Sequence, residues 1–217
     1  MPDQASADAR MPPANAIALV MAGGEGRRMG GIDKGLLPWA TTTLAGHAAG
    51  RLAALRWSVR ISANRFSQQY AALGYPVIAD RRAGFNGPLA ALEAGLYAAK
   101  GHADFLLAVP CDTPFFPADL PERLLGAAVA HHQPGRAVSG GAAFARHGED
   151  LHPVFCVLSV ALAGTLTRFL DDGGRRMRDW WTAIDAESVD FSDYADLCFA
   201  NANTPAALAA LQAQAST

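Results

Sequence analysis

The chain has 217 residues, enough for one ordinary domain with a substantial core and room for a small subdomain. Apolar residues make up 51% and charged residues 18%, which predicts a globular protein whose surface relies on small residues. The net charge of −2 excludes a broad electrostatic footprint for DNA or RNA, whose binding neutralises many phosphates, but leaves room for a small anionic ligand held by a few local cations.

Residues Met1 to Pro13 are polar and rich in Ala and Pro, and read as a disordered extension that lacks the apolar stretch of a signal peptide. A single domain is expected over 14–217. Ile17 to Met21 is a short apolar run ending in Ala22-Gly23-Gly24, a buried strand that enters a Gly-rich loop. Leu44 to Leu55 has helical spacing; Trp57 to Ala63 reads as a strand, Phe66 to Leu73 as a polar helix, and Pro76 to Ala79 as a short strand. Gly87-Pro88 opens a helix that runs to about Lys100, with Pro in the first turn, where its missing N–H has no intrahelical partner. Phe105 to Val109 is the clearest buried strand, stopped by Pro110-Cys111-Asp112-Thr113-Pro114, and Pro117 to His131 is helical. Ala137 to Arg146 and His152 to Ser159 read as two strands joined by a turn at His147 to Asp150. Helices over Val160 to Leu170, Arg175 to Trp181 and Thr204 to Gln214, with a strand near Ser188 to Asp190, complete the chain. The alternation predicts an α/β fold with a mostly parallel sheet and a small antiparallel excursion. No apolar run approaches the roughly 20 residues that span a bilayer, so no membrane segment is expected. Cys111, Cys156 and Cys198 make neither a disulfide framework nor a zinc pattern, and a reducing, cytoplasmic setting is expected.

Ligands of open parallel sheets sit at the carboxyl ends of the strands where strand order reverses. Two segments stand at such ends. In residues 22–34, five glycines let backbone N–H groups surround a polyphosphate, and Arg27, Arg28 and Lys34 supply cations. The segment is neither a dinucleotide fingerprint, since Met29 stands where Gly is needed, nor a P-loop, since Ile32-Asp33 follow Gly31 in place of Lys-Ser/Thr. It reads as a triphosphate cradle of another type, against the alternative of a flexible surface turn. The second segment ends in Asp112, a hard-oxygen ligand suited to Mg²⁺ carried partly by phosphates. Asp before Thr-Pro is also common turn chemistry, and it is the Gly–Arg–Lys loop that favours the metal.

The pattern Ala-Gly-Gly-x-x-x-Arg-Met-Gly-Gly-x-Asp-Lys-Gly at 22–35 resembles the signature of the molybdenum cofactor guanylyltransferases. Gly87-Pro88-Leu89-Ala90, Pro110 to Pro114, His152-Pro153 and Asn201-x-Asn203-Thr204-Pro205 resemble it too, in the family's order and over about Ala16 to Leu211. The resemblance implies a three-layer, Rossmann-like nucleotidyltransferase fold that binds GTP and Mg²⁺ and transfers GMP to the phosphate of molybdopterin. It implies backbone contacts to the nucleotide from Met21, Ala22, Gly23 and Gly24. Arg28 and Lys34 would hold the β- and γ-phosphates, Asp80 would touch the nucleotide, and Asp112 would hold the metal. Gly87, Pro88 and Leu89 would line the base and ribose side. Met21 stands where the family usually has Leu, which matters little for a backbone contact. Ser62 stands where a nucleotide-contacting Asn is common, so either Ser62 makes the contact through water or Asn64 takes it over. No general base is expected, because the attacking phosphate monoester is already an anion.

Arg175, Arg176 and Arg178 beside Trp180 and Trp181 read either as a holder for the pterin phosphate or as a solvated helix face with inward tryptophans. His152 faces the pterin or is structural, and Asn203 caps the last helix or supports the site. The remaining histidines, among them His131 and His132, read as helix-end or surface residues. Two rival functions remain: a CTP-using transferase of the same cofactor, disfavoured by Gly24 and Asp33, and a carrier without catalysis, disfavoured by Asp112, Lys34 and the arginines. Transient contact with cofactor chaperones or acceptor enzymes is expected, and no nucleic-acid partner.

Overall fold

The computed structural model describes residues 15–22, 33–83, 87–131 and 141–215. The expected extension over 1–13, most of the Gly-rich loop and the start of the strand expected from Ala137 lie outside them.

β1 (Ala16–Met21) is an unbroken apolar run because both of its faces are covered: Ala18 and Val20 enter one core, Ile17 and Leu19 the other. After the Gly-rich loop come a 3-10 turn at Lys34–Leu36 and a small hairpin of β2 (Pro38–Trp39) and β3 (Thr42–Thr43). α1 (Leu44–Ala54) follows, its N-cap Thr43 hydroxyl accepting from Gly46 N at 3.1 Å. Then come β4 (Ser58–Ser62), the short α2 (Ser67–Ala71), β5 (Val77–Ile78), α3 (Pro88–Ala99), β6 (Phe105–Pro110) and α4 (Leu120–His131). α4 begins three residues later than its apolar spacing implies, since Pro117 only turns the chain, its carbonyl accepting from Leu120 N at 3.2 Å. β7 (Ala142–His147) and β8 (Asp150–Ser159) form the expected hairpin. A 3-10 turn at Val160–Leu162 leads into α5 (Ala163–Asp171), then α6 (Met177–Ala183), β9 (Glu187–Asp190) and α7 (Pro205–Ala215).

The main sheet has the order β5-β4-β1-β6-β8-β7-β9. All its neighbours pair in parallel except the two contacts of β8, which runs against β6 and β7. α1, α2 and α4 cover one face and α3, α5 and α6 the other, giving three layers. α7 packs through Leu211 on Leu37, Trp39 and Leu44, outside the sheet. The chain runs outward from β1 to β4 and β5 and then returns to the other side of β1 as β6. The carboxyl ends of β1 and β6 therefore flank the point where strand order reverses, the place where open α/β sheets form their ligand crevice.

Candidate active site

Met21 ends β1 and Ala22 follows it, and Asp112 follows the end of β6. The strand ends are stitched together: Cys111 N donates to Met21 O at 3.1 Å and Ala22 N to Ser62 O at 3.0 Å. Across this junction Lys34 Nζ lies 2.7 Å from Asp112 Oδ2 and 2.5 Å from Asn203 Oδ1. Asn203 reaches the site because its segment is tied to the end of β6. Ala202 N donates to Asp112 O at 2.8 Å, and Thr113 Oγ1 donates to Asn201 Oδ1 at 2.7 Å. The last helix is capped by Thr204, whose hydroxyl accepts from Ala207 N at 3.1 Å, so Asn203 is left to face Lys34.

Gly23, Gly24 and Arg28 lie outside the described residues, but both ends of their loop are described and share one anchor. The Tyr70 hydroxyl, fully buried on α2, donates to Asp33 Oδ1 at 2.5 Å and lies 3.4 Å from Ala22 O. Asp33 is 4% exposed and also accepts from Gly35 N at 3.3 Å. Gly35 has to be glycine, because a Cβ there would overlap the Tyr70 hydroxyl. Burial pushes the Asp33 carboxyl above its ordinary range, against the opposing hydrogen bonds of Tyr70 and Gly35. A raised acid binds its proton more tightly when folded, so its contribution is present at low pH and lost as pH rises through the folded value. Asp33→Asn, which keeps the acceptor, is therefore expected to be more stable than wild type at pH 7, with the gap closing as the pH falls towards 4. Urea midpoints across that range check this, and a gap of constant size would contradict it.

On the β4–β5 side, Ser62 is 2% exposed and pairs across the strand ends with Met21 and Ile78. Asn64 and Asp80 embrace: Asn64 Nδ2 donates to Asp80 Oδ2 and Asp80 N donates to Asn64 Oδ1, both at 2.7 Å. Asn64 thus uses both of its amide groups to hold Asp80. Asp80 Oδ1 is buried and has no partner among the described residues, and burial raises the carboxyl's pKa. Gly87 N-caps α3 at φ 69 and ψ −165, a region open essentially to glycine alone, where a side chain costs about 1–3 kcal/mol. Pro88 is exposed beside it, whereas Leu89 is fully buried in the core.

Sequence reasoning missed the supports of these groups. From α1, Arg51 donates to Pro114 O at 2.7 Å and to Phe116 O at 2.6 Å, and His47 Nε2 lies 3.1 Å from Pro114 O. The loop that carries Asp112 is held this way from one side and by the Asn201–Asn203 segment from the other. Arg82 grips Glu93 with Nε and Nη2 at 2.7 and 2.9 Å and Asp171 at 2.7 Å, pinning the chain just beyond Asp80 to α3 and α5. Acceptors that are backbone carbonyls leave no trace in sequence, and Tyr70 stands in no motif.

The tryptophans resolve to the inward reading. Trp180 is fully buried, and Trp181 stacks on Phe144 at 5.6 Å. Arg175 donates to Leu170 O at 2.7 Å and so closes the end of α5, while Arg176 and Arg178 are exposed. His152 stacks on Phe199 at 4.3 Å, and burial lowers its pKa, so it is packed as a neutral ring. The register of β7 against β8 shifts between Phe144 and Ala145, a bulge that accommodates Pro153, which cannot donate to a ladder. His131 ends α4 with Nε2 2.8 Å from Asp185 O, while His132 lies outside the described residues. Among the described residues no three of His, Cys, Asp and Glu gather as a metal cluster, and no helix is long and apolar enough to cross a membrane.

Residues 18–187 match the family described as MobA-like NTP transferase domain. A molybdenum cofactor guanylyltransferase of Pasteurella multocida (strain Pm70) is 42% identical over 186 residues, 86% of this chain and 93% of its own. One of Ralstonia nicotianae (strain ATCC BAA-1114 / GMI1000) is 39% identical over 204 residues, 91% of this chain and 96% of its own. Among solved structures, the molybdopterin-guanine dinucleotide biosynthesis protein A of Archaeoglobus fulgidus superposes with a TM-score of 0.72 at 18% identity, over 93% of this chain and 98% of its own. A CMP:2-keto-3-deoxy-manno-octonic acid synthetase complexed with CTP superposes with a TM-score of 0.68 at 15% identity, over 94% and 99% of the two chains. At such identities the two structures establish the fold.

Proposed function

The chain belongs to the MobA-like NTP transferases, and from that membership we propose that it transfers GMP from GTP to the phosphate of molybdopterin, giving the guanine dinucleotide cofactor and pyrophosphate. The observation that carries the reading is the meeting of Lys34, Asp112 and Asn203 at the carboxyl ends of β1 and β6, beside the anchored ends of a Gly-rich loop. The reaction needs an attacking phosphate oxygen held in line with the α-phosphorus and relief of charge on the leaving pyrophosphate. Backbone N–H groups from Ala22 to Gly24, with Arg28 and Lys34, hold the β- and γ-phosphates. Asp112 and Asn203 offer two hard oxygens that converge on one cationic point, which fits a magnesium ion bound by one carboxylate and by phosphate oxygens. When bound, that ion neutralises charge developing on the phosphates.

The base lies on the β4–β5 side, between Met21, Asp80 and the start of α3 at Gly87 and Pro88. Asn64 fixes the Asp80 carboxylate beside the base, where its charge suits the N1–H and N2–H edge of guanine. Cytosine offers only an exocyclic amine beside an acceptor, so the same carboxylate disfavours CTP. Arg176 and Arg178, exposed ahead of and on α6, suit the phosphate of the pterin. The product passes by transient contact to a cofactor chaperone or an acceptor enzyme in the cytoplasm.

Pyrophosphate release with molybdopterin, magnesium and either GTP or CTP tests the reading. Turnover with GTP at least tenfold faster than with CTP is expected, and Asp80→Ala is expected to lower kcat/KM for GTP about tenfold or more through the lost charge-assisted hydrogen bond. Equal turnover of both nucleotides, or none without loss of GTP binding, would refute guanylyl transfer.

A further inference from the structure

We propose that Lys34 is the resident counter-ion of the Asp112 site, and that it yields the site to a divalent cation only when a triphosphate draws its ammonium away. Metal and nucleotide then bind as a coupled pair. The proposal rests on the reading of Asp112 as the metal carboxylate.

Two observations carry it. The Lys34 ammonium sits 2.7 Å from Asp112 Oδ2 and 2.5 Å from Asn203 Oδ1, so oxygens from two separate segments converge on a single positive charge. Those are the lone pairs that a magnesium ion would use, and an ammonium, with donors and no acceptor, competes for them directly. The side chains are 27% and 17% exposed, so the ion pair is screened less than a surface pair, and an incoming cation meets a charge of its own sign.

The backbone beneath Lys34 does not follow its side chain. Asp33, one residue before, is locked by the Tyr70 hydroxyl and by Gly35 N, and Leu37 N donates to Lys34 O at 3.1 Å. Lysine is a compact charge on a flexible four-carbon stem, so on this fixed base its ammonium can swing between a carboxylate and a phosphate. Arginine would lock its fork on Asp112 and lose that freedom. While Lys34 neutralises Asp112, free metal gains little by entering. A triphosphate removes the competitor as it binds. By linkage, the ion then strengthens triphosphate binding by the same factor.

The test is Mn²⁺ binding to the nucleotide-free full chain, followed by electron paramagnetic resonance, in wild type, Lys34→Gln, Lys34→Met and Asp112→Asn. Both Lys34 variants are expected to bind Mn²⁺ about five- to tenfold more tightly than wild type, and Asp112→Asn is expected to lose the site. Unchanged or weaker Mn²⁺ binding in both Lys34 variants, with the site lost in Asp112→Asn, overturns the counter-ion role and leaves Asp112 as the metal carboxylate. Unchanged binding in Asp112→Asn overturns both.

Discussion

Asp112→Asn is expected to lower the rate of pyrophosphate release about a thousandfold or more while leaving the fold in place. The substitution keeps the shape of the side chain at the end of β6 and removes the charge proposed to hold the divalent ion. The loss is large because the protein has little else to contribute to the chemical step: the attacking phosphate needs no deprotonation, so the rate depends on placement and on charge neutralisation. The fold tolerates the change because the amide keeps an oxygen for the Lys34 ammonium at the same place. The backbone ties through Ala202 N and Met21 O do not involve the carboxylate. Single-turnover assays with GTP and molybdopterin measure the first half, and thermal unfolding measures the second. Turnover near that of wild type would remove Asp112 from the mechanism.

Arg82→Ala costs about 3 kcal/mol of stability, the low end for breaking a buried pair, since the Arg82 side chain keeps 24% exposure. Glu93, with 3% of its side chain exposed, is then left as a buried carboxylate that retains the Thr167 hydroxyl at 2.7 Å and the nearby Arg81 charge. For a chain of this size the loss corresponds to a fall in Tm of roughly 6–12 °C. Asp171, 59% exposed, adds little to the pair. Removing the stranded charge as well, in Arg82→Ala/Glu93→Gln, is expected to recover part of the loss, which a double-mutant cycle reads directly. The sign with pH follows from the titration of Glu93. Burial pushes its carboxyl up, but hydrogen bonds from Arg82 and Thr167 outweigh that and bring it below the ordinary range. The wild-type advantage is therefore present above the ordinary glutamate range and fades as pH falls through the lowered value. Arg82 stands two residues beyond Asp80, so KM for GTP is expected to rise severalfold with less change in kcat. A double variant no more stable than Arg82→Ala would show that Glu93 is not the stranded group.

Much of the architecture was legible along the chain. The runs at Ile17 to Met21 and Phe105 to Val109 became β1 and β6 because strands covered on both faces need no polar alternation. The hairpin of β7 and β8 was visible from its two apolar stretches and turn residues. The small hairpin of β2 and β3 was not, since two-residue strands carry no periodicity. In the site, the Gly-rich loop, Asp112 and the Asn201-x-Asn203 segment stood out as motifs, and Asp80 through its resemblance to the family. The leucine expected beside the base instead packs inward at Leu89, since the first turn of α3 already faces the core there.

The order of residues by itself determined the elements, the loop chemistry and the kind of ligand, because periodicity, glycine spacing and strand-end carboxylates are local properties. Only the tertiary structure decided that Lys34 meets Asp112 and Asn203, 78 and 169 residues away, that Asn64 serves Asp80, and that Tyr70 locks both ends of the loop. The first of these pairings follows from the return of the chain across β1 to β6, and the others from the neighbouring of β1, β4 and β5. Strand order, not spacing along the chain, chooses which distant oxygen each ammonium, amide or hydroxyl will find.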